Sequence, residues 1–165
     1  MADARLRPMT RDDLGAVNAI YNHYVLHSTC TYQLEPETDA ARAAWFDDHG
    51  GVHPLLVAER DGAVVAWGSL SRFNARGGYA RSVENSVYVA HDARRQGIGG
   101  LLLRELIVLA GTHGHHLIIA GIDAEQAASV ALHARFGFTH AGRLGEAGYK
   151  FGRWLDVVYM QLRVS

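Results

Sequence analysis

The 165-residue chain has a balanced composition, with 48% hydrophobic and 20% charged residues and a formal net charge of −1 at pH 7. Such a composition is typical of a globular protein and excludes collagen-like and highly charged disordered chains. A net charge near zero gives no general electrostatic reason to bind nucleic acid or an acidic membrane surface. We therefore expect a single domain over residues 1–165, with no nucleic-acid or membrane partner.

The single cysteine, Cys30, excludes an internal disulfide and fits a reducing compartment. Such a cysteine is more often a small buried hydrophobic residue than a nucleophile. The N-terminus lacks the apolar segment of a signal peptide. The longest apolar run, 101–110, contains Arg104 and Glu105 and is too short to span a bilayer. We expect a cytoplasmic protein.

The first half of the chain alternates predicted strands and helices. In order these are a strand at 5–7, a helix starting at Thr10, a helix from Thr38 to Phe46, and strands at 55–59 and 63–70. Thr10 with Asp13 three residues later resembles a capping box. Asp61-Gly62 is a strong hairpin signal between the two later strands. Residues 29–34 fit either a loop or a short strand.

The second half predicts a crossover unit. Its elements are a strand at 81–89, a helix at 97–110, a strand at 117–122, a helix at 129–136 closed by Gly137, and strands at 138–143 and 154–162. No repeat, linker or low-complexity stretch interrupts this order. Antiparallel hairpins followed by a β-α-β crossover predict a mixed α/β fold.

A glycine-rich stretch lies where the 81–89 strand leads into the next helix. It reads Arg94-Arg95-Gln96-Gly97-Ile98-Gly99-Gly100. Free backbone N–H groups and the positive end of the helix dipole make such a turn suitable for a pyrophosphate. Its spacing is not that of a dinucleotide-binding fingerprint. We expect this loop to hold a phosphate-bearing cofactor.

Several segments around this loop carry a family resemblance. The spacing Arg94-x-x-Gly97-x-Gly99 matches R/Q-x-x-G-x-G/A, the acetyl-CoA signature of the GCN5-related N-acetyltransferases (GNAT). Further matching segments lie at 19–22, 34–38, 84–89, 120–124, 127–133, 136–138 and 150–157. Together they resemble the phosphinothricin and methionine-sulfoximine N-acetyltransferase branch over nearly the whole chain.

This resemblance implies a GNAT fold, with a mixed central sheet of six to seven strands flanked by about four helices. It also implies transfer of acetyl from acetyl-CoA to the α-amino group of a small amino acid or analogue, in a homodimer and without a metal. The alternatives are acetylation of another amine, such as a protein N-terminus or polyamine, and a non-catalytic acyl-CoA-binding module.

Glu84 is the candidate general base. An α-amino group has a pKa of about 8 and needs a base to attack a thioester near neutral pH. On its strand Glu84 shares a face with Ser86 and Tyr88, while the neighbouring valines face the other way. The alternative is a solvated strand glutamate without a catalytic role.

By resemblance, His133 occupies the position of the side chain that protonates the departing CoA thiolate in many family members. The alternative is a histidine that packs against its neighbours and has no catalytic role. The implied cofactor-binding residues are Val87, Tyr88, Val89, Arg94, Arg95, Gln96, Gly97, Ile98, Gly99, Gly100 and Gln126. Gln126 stands where the family usually has asparagine, so we expect a weaker or rearranged contact with the cofactor there.

The implied acceptor-binding residues are Arg72, Phe73, Asn74, Glu84, Asn85 and Ser86. An arginine suits a carboxylate or phosphinate because its guanidinium binds two oxygens at once. Tyr32 fits either the wall of this pocket or the core. The run His113-Gly114-His115-His116 lacks the spacing of a zinc site, and we expect no metal there.

Overall fold

The computed structural model describes residues 4–165, and in it seven strands form one sheet with four helices. The strands are β1 (Arg5–Pro8), β2 (Leu55–Arg60), β3 (Ala63–Arg72), β4 (Ser82–Val89), β5 (Leu117–Asp123), β6 (Thr139–Lys150) and β7 (Arg153–Arg163). The helices are α1 (Leu14–His27), α2 (Asp39–Asp47), α3 (Ile98–Thr112) and α4 (Ala127–Arg135). This architecture confirms the predicted mixed α/β class.

The strands follow the order β1-β2-β3-β4-β5-β7-β6 across the sheet. β4 and β5 are parallel and are joined by the predicted crossover through α3, whereas the other neighbouring pairs are antiparallel. Proline occupies the last position of β1, at the edge of the sheet, where a missing N–H donor is tolerated.

Local signals in the sequence position several of these elements. Asp61 and Gly62 both have positive φ, 51° and 80°, as a two-residue hairpin turn between β2 and β3 requires. At the start of the first helical segment, the backbone N–H of Thr10 donates to Asp13 Oδ2 over 2.7 Å. The predicted capping box is therefore present, ahead of a 3₁₀ turn that continues into α1.

Two apolar clusters cover the two faces of the sheet. On one face, α3 buries Leu102, Leu103 and Leu106 completely against the central strands. On the other face, α1 and α2 pack around Trp67 of β3, which is 2% exposed. With both faces covered, an opening within the sheet requires two neighbouring strands to separate.

Such a separation occurs between the two central parallel strands. β4 pairs with β5 only over Ser82–Glu84 against Leu117–Ile119. Both strands continue beyond these residues, to Val89 and Asp123 respectively. The strands therefore diverge from Glu84 onward, and the edge of β4 that faces β5 has no strand partner there.

Two predicted elements differ in detail from the structure. Residues 29–34 form a loop between the first two helices, which resolves the two alternatives that the sequence left open. β6 extends to Lys150, beyond the predicted end at residue 143. Its second half follows no apolar alternation and is held by pairing with β7, as in Leu144 opposite Val157.

Candidate active site

A cavity of about 990 Å³ opens where β4 and β5 diverge. Its walls come from β4, the glycine loop, the start of α4, β5, β7 and the loop at residues 30–32. Segments far apart in sequence thus meet at one place, next to the carboxyl end of a parallel strand. Ligands of α/β proteins commonly bind at such a position.

Glu84 lies at the vertex where the two strands separate, and it lines the cavity. Its carboxylate is half-buried and makes no side-chain hydrogen bond to any residue within 4–165. Burial raises the pKa of the Glu84 carboxyl above its usual value. A carboxylate without a protein partner and with a raised pKa is suited to taking a proton from a ligand.

The predicted division of the β4 side chains is confirmed. Tyr88 packs on the α1/α2 face and stacks on Trp67 with ring centroids 4.8 Å apart. Val83, Val87 and Val89 instead pack against the α3 cluster. Glu84 therefore opens toward the same side of the sheet as Tyr88.

The glycine loop has the backbone of an anion-binding turn. Arg95 and Gly97 have φ values of 61° and 83°, and Gly97 caps the N-terminus of α3. Alternation of left-handed residues with others turns successive N–H groups toward one concave side. Arg94 and Arg95 are exposed and line the cavity with this turn. A diphosphate fits this turn by charge and by its available donors.

The remaining loop residues differ in their surroundings. Gln96 lies outside the cavity lining, and its side-chain oxygen accepts a hydrogen bond from Arg60. Ile98 is 1% exposed and anchors the start of α3 in the core. A Cβ on Gly99 would meet Leu132 at 3.6 Å, an ordinary contact, so alanine fits there and a much larger side chain does not.

His133 lies in α4 on the opposite face of β4 from Glu84, is buried, and has protein partners on both ring nitrogens. Nδ1 is 2.8 Å from the carbonyl oxygen of Ser129, so Nδ1 carries the proton. Nε2 then accepts from Asn85 Nδ2 over 3.0 Å. Burial lowers the pKa of His133 and favours this neutral form. In this arrangement no ring N–H is free for a thiolate, so proton donation by His133 stays a prediction.

The Asn85 side chain has one unsatisfied atom. It is 8% exposed, and its Oδ1 has no hydrogen-bond partner among residues 4–165. Asn85 and Ser86 both line the cavity, as does Gln126, whose Nε2 donates to Thr29 Oγ1 over 3.2 Å. The glutamine amide therefore has a contact within the protein, and its contact with a cofactor stays a prediction.

The predicted acceptor-binding residues fall into two groups. Glu84, Asn85 and Ser86 line the cavity together. Arg72, Phe73 and Asn74 do not line it; they lie at the end of β3 and in the segment that follows. Arg72 is exposed, and Phe73 packs edge-on against Tyr79 with ring centroids 5.7 Å apart. Arg72 pairs with Val83, the residue before Glu84 in β4, and the acceptor-binding role of this second group stays a prediction.

The cavity wall also includes Asp123 and Tyr159, which no signal in the sequence singled out, and Tyr32, for which the sequence left two alternatives. Tyr32 donates to the buried carboxylate of Asp123 over 2.7 Å and also approaches the carbonyl oxygen of Asp156 at 3.0 Å. These contacts join the 30–32 loop to β5 and β7, and they resolve Tyr32 as part of the cavity wall. Tyr159 of β7 lines the same cavity.

Cys30 also lines this cavity, together with Glu84. The sequence placed Cys30 far from the cofactor signature, and the fold brings the two together. Burial raises the pKa of the Cys30 thiol, which keeps it protonated near neutral pH. The position suits a nucleophile, whereas the protonation state does not.

Within residues 4–165 no helix is long and apolar enough to cross a membrane. Nor does any group of three or more His, Cys, Asp or Glu side chains within those residues form a candidate metal site.

Comparison with known proteins places this geometry in a family. The acetyltransferase (GNAT) family model matches residues 17–138. The L-methionine sulfoximine/L-methionine sulfone acetyltransferase of Pseudomonas aeruginosa is 39% identical, with 98% of this chain and 95% of that protein covered.

Two crystal structures superpose closely. A phosphinothricin acetyltransferase from Sinorhizobium meliloti, in complex with acetyl-CoA, is 36% identical with a TM-score of 0.94, covering 97% of this chain and 88% of that one. A ribosomal-protein-alanine N-acetyltransferase from Brucella melitensis is 42% identical with a TM-score of 0.94, covering 96% and 99%. The chain is an acetyltransferase that belongs to the GNAT family.

Proposed function

We propose that this acetyltransferase acts on the α-amino group of a small amino acid or analogue, with phosphinothricin, methionine sulfoximine and methionine sulfone as the preferred acceptors. The observation that carries the proposal is the unpaired, half-buried Glu84 carboxylate at the vertex between β4 and β5. The names of the P. aeruginosa and S. meliloti relatives support this class of acceptor.

The proposed mechanism is direct attack by the amine in a ternary complex. Acetyl-CoA, the acetyl donor of this family, supplies the thioester carbonyl that the amine attacks. Glu84 takes a proton from the acceptor's ammonium, directly or through a water, and leaves a neutral amine with a free lone pair. An acyl-enzyme through Cys30 is disfavoured because burial keeps that thiol protonated.

Backbone N–H groups of the protein hold the acetyl donor, acetyl-CoA. The glycine loop presents N–H groups and two exposed arginines to the diphosphate, and α3 adds its positive dipole end. The unpartnered edge of β4 from Val87 to Val89 offers N–H groups along the acyl arm, where one can stabilise charge that develops on the carbonyl oxygen. These roles agree with those that the family resemblance implies.

The second candidate is acetylation of a protein N-terminus, which the name of the B. melitensis relative favours. Arg135 and the carboxylates Glu84 and Asp123 remain in the lining once Arg94 and Arg95 hold the diphosphate, and this mixture of charges suits a small zwitterionic acceptor.

An acceptor panel with detection of free CoA tests the proposal. Phosphinothricin, methionine sulfoximine, methionine sulfone, the common amino acids, spermidine and a peptide with N-terminal alanine are each incubated with acetyl-CoA. We expect CoA release and a product heavier by one acetyl group with the first three. Turnover of the peptide alone favours the second candidate. Binding of acetyl-CoA without CoA release from any acceptor identifies a non-catalytic module.

We also propose that the protein is a cytoplasmic homodimer. The apolar residues of β7 do not support this, because Val158 and Met160 are buried in the chain's own core. The support comes from the β6–β7 hairpin, which leaves Tyr149, Phe151 and Trp154 between 53% and 60% exposed. Exposed aromatic clusters are typical of protein interfaces. Light scattering after gel filtration, with Trp154→Glu as the variant expected to give monomers, tests the association.

A further inference from the structure

Gly121 lies inside β5, where a glycine is normally unfavourable. A strand glycine loses packing and costs conformational entropy, and it often marks a close approach by a ligand or another chain segment. Backbone conformation is not the reason here, because the φ of Gly121 lies outside the left-handed region. The residue is exposed and lines the cavity. The space above its Cα is therefore the feature that matters.

Two side chains border that space. A Cβ on Gly121 would lie 3.3 Å from Glu84 Oε1 and 3.4 Å from Tyr159 Cε1. The first distance is tighter than an ordinary van der Waals contact and the second is at its lower limit, so an alanine would push the Glu84 carboxylate back by a few tenths of an ångström. The carboxylate and the aromatic ring thus lie on either side of a gap that the missing side chain of Gly121 leaves open.

The hydroxyl of Tyr159 has no hydrogen-bond partner among residues 4–165. Tyr159 pairs with Gly121 on one side and Gly142 on the other, in the middle of β7. Its side chain is partly buried and lines the cavity. Neither its hydroxyl nor the Glu84 carboxylate makes a hydrogen bond to any residue in the described part of the chain. Two unpaired polar groups beside one gap fit a ligand that donates more than one hydrogen bond.

We propose that Tyr159 is an acceptor-binding residue and that Gly121 keeps open the place of the acceptor's amine. This inference rests on the proposed role of Glu84. A primary ammonium has three N–H groups. One proton passes to Glu84, one N–H of the resulting amine donates to the Tyr159 hydroxyl oxygen, and the lone pair stays free for attack. Tyr159 thereby fixes the orientation of the amine.

Tyr159→Phe is the direct test, because it removes the hydroxyl and leaves the ring that packs on Gly121. We expect the KM for the acceptor to rise roughly tenfold, the loss of one hydrogen bond to a charged group. The kcat at saturating acceptor and the Kd for acetyl-CoA should stay within about twofold. Tyr79→Phe, an exposed tyrosine outside the cavity lining and outside the β6–β7 hairpin, is the matched control. An unchanged KM, or a loss confined to kcat, would overturn the assignment.

Gly121→Ala provides a second readout. The added methyl presses on the carboxylate and excludes water from it, so the rise of kcat/KM with pH should shift to higher pH, with kcat/KM reduced more than tenfold. Gly142→Ala is its control, since Gly142 also pairs with Tyr159 but has open space around its Cβ. An unshifted profile in a folded Gly121→Ala protein contradicts the proposal.

Glu84→Gln separates the two hypotheses. If that variant is fully active, the role proposed for the base is wrong, and this inference is wrong with it. If it is inactive while Tyr159→Phe and Gly121→Ala both behave like wild type, only the role of Tyr159 and Gly121 is wrong.

Discussion

Glu84 and Asn85 are neighbours in β4, yet their side chains lie on opposite faces of the sheet. Glu84 opens into the cavity without a protein partner, whereas Asn85 is buried and hydrogen-bonded to His133 Nε2 over 3.0 Å. The alternation of a strand sets this division. The predicted base and the predicted proton donor therefore lie on different sides of one strand, and their roles can be tested separately.

Replacing the base should abolish most turnover near neutral pH. We expect Glu84→Gln to lower kcat by roughly 10²- to 10⁴-fold, the usual contribution of a general base. The Kd for acetyl-CoA should not change, because the glycine loop lies elsewhere on the cavity wall. Steady-state kinetics with calorimetry measures both quantities. Glu105→Gln on α3, outside the cavity lining, is the control.

The Glu84→Gln variant should also change how kcat/KM depends on pH. Burial raises the pKa of Glu84, so wild-type kcat/KM should rise with pH through that raised pKa as the carboxyl becomes ionised. In Glu84→Gln this rise should disappear, leaving only the increase that accompanies deprotonation of the free amine. An identical profile in both proteins from pH 6 to 9 removes Glu84 from the mechanism.

The glycine loop can be tested through its backbone. Gly97 has a φ of 83° and no heavy atom within 4 Å of a Cβ, so alanine there brings strain without a clash. A left-handed conformation costs a side chain about 1–2 kcal/mol, and relaxation would turn the loop's N–H groups away from the diphosphate. We expect Gly97→Ala to weaken acetyl-CoA binding about tenfold by calorimetry.

Gly111→Ala is the matched control for that variant. Gly111 lies near the C-terminal end of α3, is exposed, and also has open space around its Cβ. Alanine there should leave the Kd for acetyl-CoA unchanged and stabilise the helix by about 1 kcal/mol. Equal affinities in all three proteins would mean that the conformation of the loop at Gly97 does not contribute to cofactor binding.

Local signals made much of this fold predictable from sequence. The Asp61-Gly62 turn, the Thr10–Asp13 capping box and the glycine loop each depend on residues close together in the chain, and each is present. The length of β6 was not predictable, since pairing with β7 stabilises it and all of its residues but Gly148 and Lys150 are exposed.

The acceptor end of the site was less predictable because long-range contacts build it. Tyr32 and Asp123 are 91 positions apart and meet through one hydrogen bond. No spacing rule joins such residues, nor does one join Cys30 to the glycine loop. Arg72, chosen by resemblance, lies at the exposed end of β3, outside the cavity lining and opposite Val83, the residue before the base. Its role stays a prediction.

The hydrogen bonds of His133 predict a structural cost on mutation. His133→Phe would leave the buried amide of Asn85 without its partner, and an unsatisfied buried group costs about 1–3 kcal/mol. We expect a lower melting temperature and a kcat within about tenfold of wild type. A fall of a hundredfold or more in kcat, with stability and acetyl-CoA affinity intact, would instead establish the ring as the proton donor.

Stability at low pH should depend on Asp13, whose carboxylate accepts from Arg7 at 2.7 and 2.8 Å as well as from Thr10. The hydrogen bonds from Arg7 are the main reason that the pKa of Asp13 falls from 3.8 to about 2. Because the folded pKa is depressed, the stabilisation is complete above pH 3.8 and is lost as pH falls toward 2. The shift corresponds to about 2 kcal/mol.

Asp13→Asn should therefore lower the unfolding free energy by about 2 kcal/mol at pH 7, or the melting temperature by roughly 4–8 °C. The gap between variant and wild type should close as pH approaches 2, since the wild-type carboxyl is then protonated as well. Asp12→Asn, one residue earlier and exposed, should show no such gap. Thermal unfolding by circular dichroism from pH 2 to 7 measures it, and a difference that stays constant with pH would mean that Asp13 acts by packing and not by charge.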